Sequence, residues 1–79
     1  MGAKEFDQPN WAPLEAQGGP ELCEQFMWMW RQSGLEFYKH IDTRRYLLLD
    51  SEGRCYRQTE GGFEPVDAAT ALKRAKGEE

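Results

Sequence analysis

The residues best suited to chemistry in this chain are its one histidine, His40, and its two cysteines, Cys23 and Cys55. A histidine acts as a general acid or base only when a nucleophile or a carboxylate lies within hydrogen-bond reach. Asp42 follows two residues later, but no recognisable motif places a serine or a cysteine beside His40. Zinc sites usually contain close CxxC or HxxxH pairs, and the sequence has neither. We therefore predict that the protein is not an enzyme and binds no metal or cofactor.

Basic and aromatic residues alternate through the middle of the chain. Residues 25–57 carry six Lys or Arg and four Asp or Glu, whereas the flanking segments are acidic and bring the net charge to −4. Single-stranded nucleic acid binds surfaces on which bases stack on rings and cations follow the phosphates. The negative net charge argues against that function, since phosphate binding grows with the number of charges neutralised. The candidate nucleic-acid-binding residues are Tyr38, Lys39, Arg44, Arg45, Tyr46, Arg54, Tyr56 and Arg57.

A continuous apolar run, FMWMW at residues 26–30, precedes a Ser33-Gly34 dipeptide. The periodicity of this run fits a helix as well as a strand. A two-residue hairpin loop at the dipeptide would place Arg31 opposite Glu36 and an aromatic pair next to them, and such cross-strand pairs contribute about 0.2–1 kcal/mol each. Because a helix would give these residues no such partners, we favour a β-hairpin over residues 26–41.

An uninterrupted register would divide this hairpin into two faces, because side chains alternate along a strand. The residues predicted for the core face are Phe26, Trp28, Trp30, Phe37 and Ile41. The residues predicted for the opposite face are Met27, Met29, Tyr38 and His40. Thioether side chains on a half-covered sheet face suit an adaptable binding surface, unless Trp11 and Leu14 fold back and cover them.

Two further strands are predicted at residues 46–49 and 54–58. The DSEG segment at residues 50–53 suits a type I turn followed by a glycine in the left-handed conformation. Phe63 would add a short edge contact, and Asp67 is a suitable N-cap for a C-terminal helix. The predicted fold class is therefore α+β, a small antiparallel β-meander of about four strands with a short N-terminal helical turn and a C-terminal helix.

A chain of 79 residues is long enough for one domain. We assign residues 1–9 to a flexible N-terminal tail, residues 10–76 to a single α+β domain and residues 77–79 to a frayed C-terminus. No apolar run reaches the roughly 20 residues of a membrane-spanning helix, and no secretory signal is visible. We therefore expect a cytoplasmic protein that has no membrane partner.

We expect a non-catalytic binding module that acts through a partly apolar sheet face, toward a protein partner or a second copy of the chain. Burial of an apolar centre inside a charged rim would provide the affinity. The candidate partner-binding residues are Met27, Met29, Tyr38, His40, Arg44 and Arg45. Weak binding of single-stranded RNA or DNA through the basic-aromatic surface is the alternative. A salt titration would separate the two, because nucleic-acid affinity falls steeply with salt.

Overall fold

In the computed structural model, which describes residues 3–6 and 8–78, two helices pack against a five-stranded antiparallel sheet. The strands lie side by side in chain order, so the sheet is a meander. The elements are α1 (Ala12–Cys23), β1 (Phe26–Gln32), β2 (Leu35–His40), β3 (Tyr46–Asp50), β4 (Cys55–Thr59), β5 (Gly62–Val66) and α2 (Ala68–Lys76). The predicted α+β class is confirmed, and the edge contact predicted at Phe63 proves to be a full strand, β5.

The two predicted hairpin turns form as their sequences indicate. Ser33 and Gly34 both have positive φ angles, of 55° and 76°, as a tight two-residue loop requires. Gly53 has a φ angle of 84° at the end of the turn after β3. The cross-strand partners predicted beside the Ser33-Gly34 loop are confirmed, since Arg31 lies opposite Glu36 and Trp30 opposite Phe37.

The register changes further along the first hairpin, where β1 contains one residue more than β2 between two paired positions. Trp28 lies opposite Tyr38, where an uninterrupted register would place Lys39. Met29 is therefore the extra residue of a β-bulge and has no partner. The partners that an uninterrupted register gives to residues 26–28 are each wrong by one position. No local signal marks this bulge, since every side chain of the apolar run can pack on either face.

Both helices pack on one face of the sheet and form the larger core with it. Tyr38 and His40, which were predicted on the face opposite to Phe26, lie on this face beside it. The ring centroids of His40 and Phe26 are 5.0 Å apart, and the Tyr38 hydroxyl donates to the Asn10 carbonyl oxygen at 2.5 Å. Trp11 packs 5.5 Å from Tyr38 and Leu14 is buried in the same core, so these two residues cover this face and not the methionines. The buried residues of this core are Leu14, Leu22, Phe26, Tyr38, Leu47, Leu49, Cys55, Ala71 and Ala75.

The other side of the sheet, called the open face below, carries a smaller cluster that includes no described residue of either helix. Trp30 and Phe37 belong to it, although they were predicted on the same face as Phe26. Ile41, also predicted for the core, lies beyond β2 and is 45% exposed. The ring of Phe63 in β5 comes within 5.9 Å of the Phe37 ring in β2, so the sheet curls toward the open face and makes it concave. The cluster consists of Leu35, Phe37 and Leu48, with Met29, Trp30, Tyr56 and Phe63 packed around them.

A buried carboxylate holds Arg31 in place, and Arg31 in turn pairs with the N-terminal segment, residues 3–6. Glu36 is 4% exposed. Its carboxylate accepts hydrogen bonds from the Trp28 indole N–H at 2.7 Å and from the Arg31 Nε at 2.6 Å. Arg31 also exchanges two backbone hydrogen bonds with Glu5. Residues 3–6, which the sequence assigned to a tail, therefore run along the outer edge of β1.

The helix ends follow signals in the sequence. The Asp67 carboxylate accepts a hydrogen bond from the Thr70 N–H, as predicted for the N-cap of α2. Gly77 ends this helix in the left-handed conformation. α1 is longer than the predicted helical turn, and it kinks at Gly18 and Gly19, whose backbone angles are not helical.

Deleting Met29 should leave the fold intact, because the deletion joins the two flanking positions of the bulge in a regular register. Deleting Met27 from the same strand should move Phe26 off the helix-covered face. That loss should cost about 3–5 kcal/mol, the usual effect of removing a buried phenylalanine. Urea unfolding of the two deletion variants measures the difference. Equal losses of stability, or a larger loss for the Met29 deletion, would contradict the bulge.

Candidate binding cleft on the open face

The sheet separates between β3 and β4, and a cleft opens there. Each strand has five residues, yet the two pair at only two positions, Leu48 with Tyr56 and Leu49 with Cys55. The β2–β3 and β4–β5 pairs have five positions each. Beyond Leu48 the strands diverge, and the cleft they form with neighbouring residues has a volume of about 530 Å³. This volume lies within the range of about 300–1,000 Å³ that is typical of ligand-binding sites. The cleft passes between the strands, so its lining includes open-face rings and also Leu47, Val66 and Ala71 of the helix-covered core.

Aromatic rings form one wall of the cleft. Trp30 stacks on Phe37 with 5.0 Å between the ring centroids and lies 5.8 Å from Tyr46. Tyr46 is 42% exposed, so this row of rings reaches the solvent. On the β4 side, the Tyr56 hydroxyl donates to the Asp50 carboxylate at 3.0 Å, which holds that ring in place. Side chains already held by their neighbours lose little conformational entropy on binding, which favours recognition.

Cations from three separate parts of the chain line the cleft, and one of them, Lys4, lies at a ring of this wall. Arg57 alternates with Tyr56 along β4, so Arg57 and Arg74 line the cleft from the helix-covered side. The Lys4 ammonium lies 4.1 Å from the ring centroid of Trp30. Arg57 of β4, which forms an ion pair with Glu64, and Arg74 of α2 also line the cleft. No Asp or Glu is among the described lining residues, whereas the chain as a whole has a net charge of −4. The cleft is therefore a locally basic, aromatic surface on an acidic protein.

Four of the predicted partner-binding residues are divided between the two faces. Met29 belongs to the open-face cluster, and Met27 lies further along β1 with 39% of its surface exposed. Tyr38 is fully buried under the helices, and His40 is 5% exposed. The Nδ1 atom of His40 accepts hydrogen bonds from the backbone N–H groups of residues 42 and 43 at 3.2 and 3.3 Å. This side chain therefore stabilises the turn after β2. Of these four residues, the two methionines lie away from the helix-covered core.

The residues chosen from the basic-aromatic pattern are also dispersed. Arg44 and Arg45 occupy the turn between β2 and β3, where the Arg45 guanidinium donates to the Arg74 carbonyl oxygen. Arg54 lies in the turn after β3 and pairs with carboxylates of that turn. The members of this set that lie in the cleft or beside it are Lys39, Tyr46, Tyr56 and Arg57.

Most of the lining residues, among them Trp30, Phe37, Lys4 and Arg74, were not among the predicted site residues. Trp30 and Phe37 were assigned to the core, because an uninterrupted register placed them on the same face as Phe26. Lys4 and Arg74 belong to the N-terminal segment and to α2, which no local pattern in the sequence connects with the open face. These residues reach the cleft only in the folded chain, so no pattern in the neighbouring sequence predicts that they line it.

The two thiols are held in their unreactive form. Burial raises the pKa of Cys55 to about 11. Burial, together with the nearby Glu15 carboxylate, also raises the pKa of Cys23. Both cysteines are free, and a thiol with a raised pKa is protonated and a poor nucleophile at neutral pH. Within residues 3–6 and 8–78, no three His, Cys, Asp or Glu side chains are grouped closely enough to hold a metal ion.

Comparisons with protein-family models, curated proteins and solved structures find no match to this chain. In the part of the chain that the structure describes, neither helix has the length and apolar composition needed to cross a membrane. The function is therefore argued from the cleft itself.

Asp50 links the turn after β3 to the cleft. Its carboxylate accepts hydrogen bonds from the N–H groups of Glu52 and Arg54, both at 2.9 Å, and from the Tyr56 hydroxyl. Partial burial opposes ionisation, but these hydrogen bonds outweigh it and lower the pKa of Asp50. The stability that the carboxylate contributes is therefore complete above the ordinary aspartate pKa of about 3.9 and is lost as the pH falls through the lower folded-state pKa.

Asp50→Ala should lower the free energy of unfolding by about 1–3 kcal/mol at neutral pH, because three donors lose their acceptor. The difference from the wild type should shrink as the pH falls through the folded-state pKa. Urea unfolding at a series of pH values measures both effects. The control is Asp42→Ala, an exposed aspartate whose loss should change stability by less than about 0.5 kcal/mol. A stability difference for Asp50→Ala that stays constant through the acid range would contradict this role.

Proposed function

We propose that this chain is a non-catalytic binding module and that a segment of a partner protein occupies the cleft on its open face. The observation that carries the proposal is the separation of β3 and β4, which leaves a space lined by Trp30, Tyr46 and Tyr56. Tyr and Trp often dominate the energy of an interface, because each combines a large apolar area with a polar group. An apolar patch left partly open on a small domain commonly marks an interaction site.

The charges at the cleft favour a different protein over a second copy of this chain. A symmetric dimer formed through the open face would place the same patch on both sides of the interface. The open-face cation Lys4 of each copy would then enter an interface that also contains the Lys4 of the other copy. A partner segment that carries no cations at the contact avoids this repulsion.

Single-stranded RNA or DNA is the second candidate, and one observation favours it. Tyr46 and Tyr56 line the cleft, and the Lys39 ammonium lies 5.7 Å from the Tyr46 ring centroid, which combines stacking rings with a cation. The net charge of −4 counts against it, because much of such binding comes from neutralising phosphates. We therefore place the protein partner first.

We also propose a cytoplasmic location. Cys23 and Cys55 are both free thiols, and one of them is buried in the core. Thiols stay reduced in the cytoplasm, where a structural disulfide is unusual. The free thiols support this proposal.

Selection from a displayed library of random peptides tests the binding function. The immobilised chain should enrich peptides that bind it, and Tyr46→Ala should weaken their binding by about tenfold or more, the usual effect of losing a central interface ring. Ile41→Ala is the matched control. Ile41 is about as exposed as Tyr46, at 45% against 42%, but it lies in the turn after β2 and does not line the cleft.

Selected peptides that bind the wild type and Tyr46→Ala equally well would use another surface, and the proposal would then be wrong. A selection that enriches no peptide would count against it in the same way. Oligothymidylate that binds more tightly than every selected peptide, and is released at about 0.5 M salt, would establish the nucleic-acid function instead.

A further inference from the structure

We infer that the partner segment is an extended strand that inserts between β3 and β4, where its main chain pairs with that of Tyr46 on one side and of Gln58 on the other. This inference rests on the proposed function and adds the conformation of the partner and the side chains that it presents. Three observations carry it, namely the main-chain groups where β3 and β4 diverge, the two-sided lining of the cleft and the state of the outer edges of the sheet.

The hydrogen bonds of the turn after β3 show which main-chain groups point into the cleft. The Asp50 N–H donates to the Arg54 carbonyl oxygen at 3.0 Å, across the space between β3 and β4. This direction alternates along an antiparallel strand. The N–H and C=O groups at the even-numbered positions of both strands therefore point toward the other strand, and Leu48 pairs with Tyr56 in this way.

The next even-numbered positions, Tyr46 and Gln58, face each other without pairing. Among the described residues of β3 and β4, the cross-strand pairing ends at Leu48 and Tyr56. Tyr46 and Gln58 both line the cleft, and each directs one main-chain donor and one acceptor into it. An extended chain between them offers the matching groups, because each of its residues except proline carries one donor and one acceptor.

The lining of the cleft fits the side chains of an inserted strand, which alternate between the two faces of a sheet. Trp30 lines the cleft on the open face, whereas Leu47, Val66 and Ala71 line it on the helix-covered side. A partner residue opposite Tyr46 would direct its side chain to the open face beside Trp30. Its two neighbours would direct theirs toward α2, where Ala71 closes the space. We therefore expect one large apolar residue between two small apolar residues.

The outer edges of the sheet are less suited to the addition of a strand. At the edge of β1, Arg31 already exchanges two backbone hydrogen bonds with Glu5. Along β5, the residues whose main-chain groups point away from β4 are Phe63 and Pro65, and a proline has no N–H to donate. Proline on an edge strand is a common protection against strand addition. Main-chain pairing is an established mode of peptide recognition, and in this sheet the space between β3 and β4 offers it on two sides.

Amide hydrogen exchange followed by NMR tests the inference, with the peptides enriched in the display selection as probes. In the free chain, the N–H groups of Tyr46 and Gln58 should exchange much faster than those of Leu48 and Tyr56, which are paired across the same two strands. A bound peptide should slow the exchange of Tyr46 and Gln58 by at least about tenfold. The Phe63 N–H, which points outward from β5, is the control and should not change.

A scan of one enriched peptide with backbone N-methyl groups distinguishes insertion from other modes of binding. An inserted strand uses the N–H groups of consecutive residues, because these point alternately to β3 and to β4, whereas a strand added at an outer edge uses every second one. A methyl group at each of three consecutive positions should therefore weaken binding by about threefold or more, the effect of one lost hydrogen bond. Tryptophan in place of either outer residue of these three should weaken binding by about tenfold or more, because its ring would meet α2.

Two substitutions at one position connect the binding with the main chain of β4. Gln58→Pro removes the N–H that points into the cleft and should weaken peptide binding by about threefold or more. Gln58→Ala is the matched control, since it shortens the same side chain and keeps the N–H. Equal weakening by the two variants would contradict recognition through the main chain. Circular dichroism checks the fold of both, and the N-methyl scan decides the matter if Gln58→Pro does not fold.

The outcomes separate this inference from the proposed function. Slower exchange at Tyr46 and Gln58, together with losses at three consecutive methylated positions, would support insertion. Losses at every second position, or slower exchange at Phe63 in place of Tyr46 and Gln58, would overturn the insertion and leave the binding function in place. Peptides that tolerate a methyl group at every position would do the same. A selection that enriches no peptide would overturn both.

Discussion

The bulge at Met29 turns Trp28 toward the helices and Trp30 toward the open face, so that each side of a thin sheet receives one large indole. A bulge is tolerated at this point because Met29 and Trp30 both find apolar neighbours on the open face. In a regular strand, residues 28 and 30 would share a face. Either the core would then lose the Trp28 indole or the cleft would lose the Trp30 indole. The difference between the helix-covered face and the open face therefore depends on one inserted residue, Met29.

Residues on the helix-covered side of the sheet, next to the bulge, also position one cation of the cleft. Glu36 is buried and binds the Trp28 indole N–H and the Arg31 guanidinium. A buried carboxylate is costly without a cationic partner, so Arg31 is held in this position. The backbone of Arg31 forms hydrogen bonds with the backbone of Glu5, and this pairing brings Lys4 to the edge of the cleft. A cation of the candidate binding surface thus depends on a carboxylate in the core, and the two faces of the sheet are not independent.

Features fixed by neighbouring residues could be predicted from the sequence. The Ser33-Gly34 loop and the turn at residues 50–53 need particular backbone angles, and Asp67 needs only a nearby N–H to cap α2. The bulge could not be predicted, because a one-residue slip in a run of apolar side chains buries no polar group. Tyr38 and His40 were consequently assigned to the wrong face. The cleft could not be predicted either. Its lining residues lie in separate elements that come together only when the sheet curls and β3 diverges from β4.

Nuclear Overhauser contacts from the indole rings test the bulge most directly. The structure predicts contacts between Trp28 and Tyr38 on the covered face, and between Trp30 and Tyr46 on the open face. Contacts from Trp28 to Lys39, with none to Tyr38, would show an uninterrupted register. That result would place both tryptophans on one face and contradict the arrangement from which the cleft and its proposed partner are argued.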